Sequence, residues 1–72
     1  MERNTSTTLG ELKKGDRFYV ASDKKKTVFE VMEEKENARL YNRINAYGYK
    51  MERYDTKGMN EKSVIFLRHK ND

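Results

Sequence analysis

Apolar and polar residues alternate over most of this chain, and the period is that of strands rather than helices. In Arg17-Phe18-Tyr19-Val20-Ala21, Phe18 and Val20 point one way and Arg17 and Tyr19 the other. Thr27 to Glu33 repeats the pattern with Phe29 and Val31 toward the core and Glu30 away from it. The polar stretch Ser22 to Lys26 joins the two as a hairpin loop. Glu33 to Asn37 is a second polar connection. Tyr49 to Tyr54 is a further strand after a bend at Gly48, and Asp55 to Gly58 is a turn. Ser63 to Arg68 holds the unbroken apolar run Val64-Ile65-Phe66-Leu67, which predicts a central or barrel-closing strand buried on both faces. Ahead of all these, Leu9 and Leu12 are three apart. That spacing suits one tight helical turn tucking both leucines under the sheet.

Ala38 to Tyr47 carries the most information. Its even positions are Leu40, Asn42, Ile44 and Ala46, and its odd positions are Arg39, Tyr41, Arg43, Asn45 and Tyr47. As a strand it presents one largely apolar face and one face that alternates cations with tyrosines. A helix over 38–47 is the alternative, since Leu40 and Ile44 are four apart and no proline intervenes. Tyr, Asn and Ile outnumber strong helix formers, which favours the strand. The fold class expected is therefore all-β, a small antiparallel barrel or curled sheet of about five strands at the spacing of small β domains, with α+β as the alternative if 38–47 is helical. Phe18, Val20, Phe29, Val31, Leu40, Ile44, Val64, Phe66 and Leu67 are its expected core. Residues 1–8, Thr/Ser-rich and without period, are expected as a flexible tail. Residues 9–69 form the single domain, and 70–72 are a frayed end.

Length and composition narrow the possibilities. The 72 residues suffice for one domain with a thin core, and 39% of them are charged. Small folds of this kind usually need a staple. There is no cysteine for a disulfide and a lone histidine, His69, where structural zinc wants about four Cys or His ligands. Oligomerisation remains as the available staple, so a homodimer or a partner complex is an open expectation. The polar start, Met1 to Thr8, has no apolar segment behind it, and no run approaches a membrane span, so the protein is read as cytoplasmic with no membrane contact.

Leu9-Gly10-Glu11-Leu12-Lys13-Lys14-Gly15-Asp16-Arg17-Phe18 resembles the Leu-x-x-Leu-Lys-x-Gly-Asp opening of small bacterial SH3-like β-barrel domains. The resemblance covers about ten residues. It implies a turn at Gly15 leading through Asp16 into the first strand, and it brings no active site with it. The chain as a whole resembles small uncharacterised proteins of phages or mobile elements.

Catalytic signatures are absent from the sequence. A nucleophile triad needs a histidine base, and His69 sits in the expected frayed end. The four glycines, at 10, 15, 48 and 58, make no phosphate loop. Glu30, Glu33, Glu34 and Glu36 read as a solvated run. No enzyme activity, cofactor or metal is expected. The net charge of +4 instead points to polyanions. Arg39, Tyr41, Arg43 and Tyr47, extended by Tyr49 and Arg53, combine cations for phosphates with rings for bases, which is how single-stranded nucleic acid is held. Lys24, Lys25 and Lys26 would add phosphate contacts from the hairpin tip. The same residue types are enriched at protein interfaces. The alternative is accordingly a protein-interaction or self-assembling module that uses this face.

Overall fold

The computed structural model describes residues 1–35, 38–45, 48–55 and 60–71; for 35, 38–39, 45 and 48–55 the description is of the backbone. Six strands form one sheet: β1 (Thr5–Thr8), β2 (Asp16–Val20), β3 (Val28–Lys35), β4 (Ala38–Asn45), β5 (Gly48–Asp55) and β6 (Ser63–His69). Their order is β1-β6-β2-β3-β4-β5, and every pairing is antiparallel. The all-β class holds, and Ala38–Asn45 is a strand rather than a helix. β6 lies between β1 and β2, the central place its apolar run implies. Its buried residues are Val64 and Phe66, whereas Ile65 and Leu67 are half-buried on the other side.

A single 3-10 turn, Leu9–Glu11, follows β1 and drives Leu9 and Leu12 into the core, at 1% and 0% exposure. Phe18, Val31, Tyr41, Val64 and Phe66 complete that core, with Phe29 packed against it. The sheet curls around these residues, and Phe18 joins its two halves: it pairs with Phe66 of β6 on one side and with Phe29 of β3 on the other.

Two expectations need correction. Residues 5–8 are not a loose tail. Their β-branched threonines pair with Phe66, Ile65, Val64 and Ser63, because the second edge of β6 would otherwise leave unpaired backbone groups beside the core. The faces of β4 are also exchanged. Register sets Tyr41 opposite Val31 and Arg43 opposite Phe29, so the odd positions join the core side of β3. Tyr41 is 8% exposed, while Leu40 and Ile44 are only half-buried. A tyrosine ring buries more apolar area than a leucine while keeping a polar tip. Burial raises the Tyr41 phenol above its ordinary 10.0.

The segment leading into β2 shows what Gly15 and Asp16 do. The Asp16 carboxylate accepts from the Lys13 N–H at 2.8 Å, and the Asp16 N–H donates to Lys13 O at 2.9 Å. Gly15, at φ +93°, donates to Val31 O and accepts from the Lys70 N–H. Residue 70 is thereby tied to the fold at its backbone, and His69 belongs to β6 rather than to a frayed end. The Asn71 N–H donates to His69 Nδ1, so the neutral ring carries its proton on Nε2 and donates to Lys14 O, 3.0 Å away. A Cβ on Gly15 would stand 2.5 Å from that Nε2. Gly15→Ala thus combines a left-handed backbone with a clash against a ring held at both nitrogens. It should cost about 2 kcal/mol and lower Tm by roughly 10 °C in a domain of this size; a thermal melt followed by circular dichroism measures it.

Candidate functional site

The β2–β3 hairpin parts early. Arg17 pairs with Glu30 and Phe18 with Phe29; beyond Phe18, β2 continues against β6. The chain then crosses residues 21–27 to reach β3. Against this loop lies an open cleft of about 510 Å³, lined by Arg17, Lys25, Lys26, Thr27, Val28, Arg43 and Ile44. Four of the seven are cations, and Val28 and Ile44, paired across β3 and β4, give it an apolar part.

Asp23 builds the loop. Its carboxylate accepts from the Thr27 N–H at 3.0 Å and from the Lys25 N–H at 2.9 Å, and its carbonyl accepts from the Lys26 N–H. These backbone donors, Thr27 first and then Lys25, hold its carboxyl below the ordinary 3.8. A depressed pKa means that the loop order is complete above the ordinary aspartate range and is lost only as pH falls through the lower folded value. The amide signals of Lys25 and Thr27 should therefore stay at their neutral-pH positions at about pH 4, where an unperturbed aspartate is half protonated. An NMR pH titration reads this directly, and in Asp23→Asn the acid transition should vanish. Lys26 sits at φ +52° in this turn. A lysine in the left-handed region is strained, and such residues cluster at ligand contacts.

The charges of the cleft are poorly balanced. Glu30, 1% exposed, accepts from Arg17 Nε at 3.0 Å. Among the described residues no carboxylate makes an ion pair with Lys25, Lys26 or Arg43; the other pair present, Lys13–Glu34, is exposed. The nearest acid in sequence, Asp23, already engages the loop's backbone. Asn42, opposite Glu30 in the register, is 7% exposed, and its Oδ1 has no hydrogen-bond partner among the described residues. Beside the cleft, Lys26 Nζ stands over the Tyr19 ring at 5.9 Å from its centroid, within the range of a cation–π contact.

The sequence-derived site residues divide accordingly. Lys25, Lys26 and Arg43 come together in the cleft. Lys24 is exposed on the same loop without lining it. Tyr41 lies in the core, 5.4 Å from Phe18 and 5.1 Å from Phe29 between ring centroids. Arg39, Tyr49 and Arg53 occupy strand positions in β4 and β5 whose side chains lie outside the described residues, and Tyr47 lies outside them altogether. Arg17 and Tyr19 were the members missed. Their alternation with Phe18 and Val20 placed them on one face, but nothing linear ties that face to the lysine loop; the fold makes the link.

No protein-family model matches this chain, and no curated protein or solved structure matches it. Among the described residues no helix is long and apolar enough to cross a membrane.

Proposed function

We propose that the protein is a small, non-catalytic binding module of the cytoplasm that takes single-stranded nucleic acid on the cleft of Arg17, Lys25, Lys26 and Arg43. The observation that carries this reading is the charge imbalance: Lys25, Lys26 and Arg43 converge without ion-pair partners among the described residues, and a loop organised by Asp23 holds two of them there. Keeping like charges together destabilises a small fold unless a polyanion compensates them. A single strand suits the site because its phosphates follow an irregular cationic surface and its bases are free to meet apolar and aromatic side chains.

Salt tests the proposal. With three to four phosphate contacts on a single strand, log K should fall with log[salt] at a slope of about −2 to −3. Between about 50 and 200 mM this weakens binding roughly 20- to 50-fold, as fluorescence anisotropy of a labelled oligonucleotide would measure. Binding that persists unchanged across that range would indicate an apolar protein-type interface instead.

A further inference from the structure

We infer that Tyr19 is the base-stacking platform of this site, covered in the free protein by Lys26 and exposed when a phosphate draws Lys26 away; the inference rests on the nucleic-acid reading of the cleft. Two tyrosines have described side chains. Tyr41 is enclosed by Phe18 and Phe29 and has no face to offer. Tyr19 is half-buried, on the strand that carries Arg17 and two residues from it, which is the spacing of one strand face. Its ring touches the cleft through Lys26, itself a lining residue.

The Lys26 ammonium therefore has two partners of different strength. In the free protein it rests over the negative face of the ring. A phosphate oxygen offers a full charge and a charge-assisted hydrogen bond, which is the stronger interaction. Moving Lys26 to the phosphate uncovers the ring face beside the phosphate's own nucleotide, where a base can stack in its place. Cation and ring thus act in sequence on one nucleotide, and the site reads an unpaired base without reading its identity, since every base has a π face.

The test compares wild type, Tyr19→Ala and Tyr19→Phe for binding of a short mixed-sequence single-stranded oligonucleotide and of the same length of abasic oligonucleotide, which keeps the phosphates and lacks the bases. Tyr19→Ala should weaken the base-bearing strand by about 10-fold, the value of one stacked base, and change the abasic strand by less than about 2-fold. Tyr19→Phe should bind like wild type. Should Tyr19→Ala fold poorly, the wild-type protein still decides: the Tyr19 ring proton signals should move upfield with the base-bearing strand and stay in place with the abasic one. Equal loss on both strands, no loss on either, or an unmoved ring would overturn the inference while leaving a phosphate-binding cleft intact. Failure of the wild type to bind either strand would overturn both readings.

Discussion

Phe18→Ala should leave a chain that is largely unfolded at room temperature. Phe18 is 1% exposed, lies 5.7 Å from Phe29 and 5.4 Å from Tyr41 between ring centroids, and pairs with strands on both sides. Truncating a buried phenylalanine costs about 3–5 kcal/mol, and the lost ring pairs add to it. A domain of this length has roughly 4–11 kcal/mol of stability in all. The position is severe because Phe18 is where β1, β6 and β2 meet β3, β4 and β5, so its cavity would open between the two halves of the sheet. Urea titration should show little or no folded baseline for Phe18→Ala. Phe18→Leu, which keeps most of the volume, should retain a cooperative transition at lower midpoint. A Phe18→Ala protein with a near wild-type midpoint would mean that the aromatic cluster is not the centre of the fold.

The combined variant Lys25→Gln, Lys26→Asn, Arg43→Gln should fold like wild type and lose binding of single-stranded nucleic acid on the order of 100-fold at low salt, with the salt slope reduced to that of about one phosphate. Asparagine is chosen at 26 because it tolerates the left-handed backbone found there. Arg17 is left in place: removing it would strand the buried Glu30 carboxylate and confuse stability with affinity. None of the three replaced cations takes part in an ion pair among the described residues, so their loss relieves repulsion rather than breaking a pair. Thermal stability equal to or above wild type, together with flattened salt dependence, is the expected signature.

The parts of this fold legible in the sequence are those where local pattern and long-range packing agree. Phe18, Phe29, Val31, Val64 and Phe66 alternate with polar neighbours and face the core as that alternation demands, and Leu9 with Leu12 marks the 3-10 turn. β1 was hidden because Thr5–Thr8 has no apolar face of its own and becomes a strand only through β6. The faces of β4 were hidden for a different reason. Arg39, Tyr41 and Arg43 look like a solvated row beside Leu40 and Ile44, and only the register with Val31 and Phe29 shows that Tyr41 is the core member. Glu30 was correctly placed away from the core, yet its burial beside Arg17 depends on three neighbouring strands that no linear pattern reveals. For the candidate site, the lysine loop and Arg43 were readable as charge; that Arg17 and Tyr19 join them is a property of the sheet.

The most direct test of the central claim is an NMR titration of labelled protein with a single-stranded oligonucleotide, at low and then at physiological salt. The account predicts amide shifts concentrated at Arg17, Lys25, Lys26, Thr27 and Arg43, shrinking as salt rises. Absence of shifts at low salt, where electrostatic binding is strongest, or shifts confined to residues remote from the cleft, would contradict it.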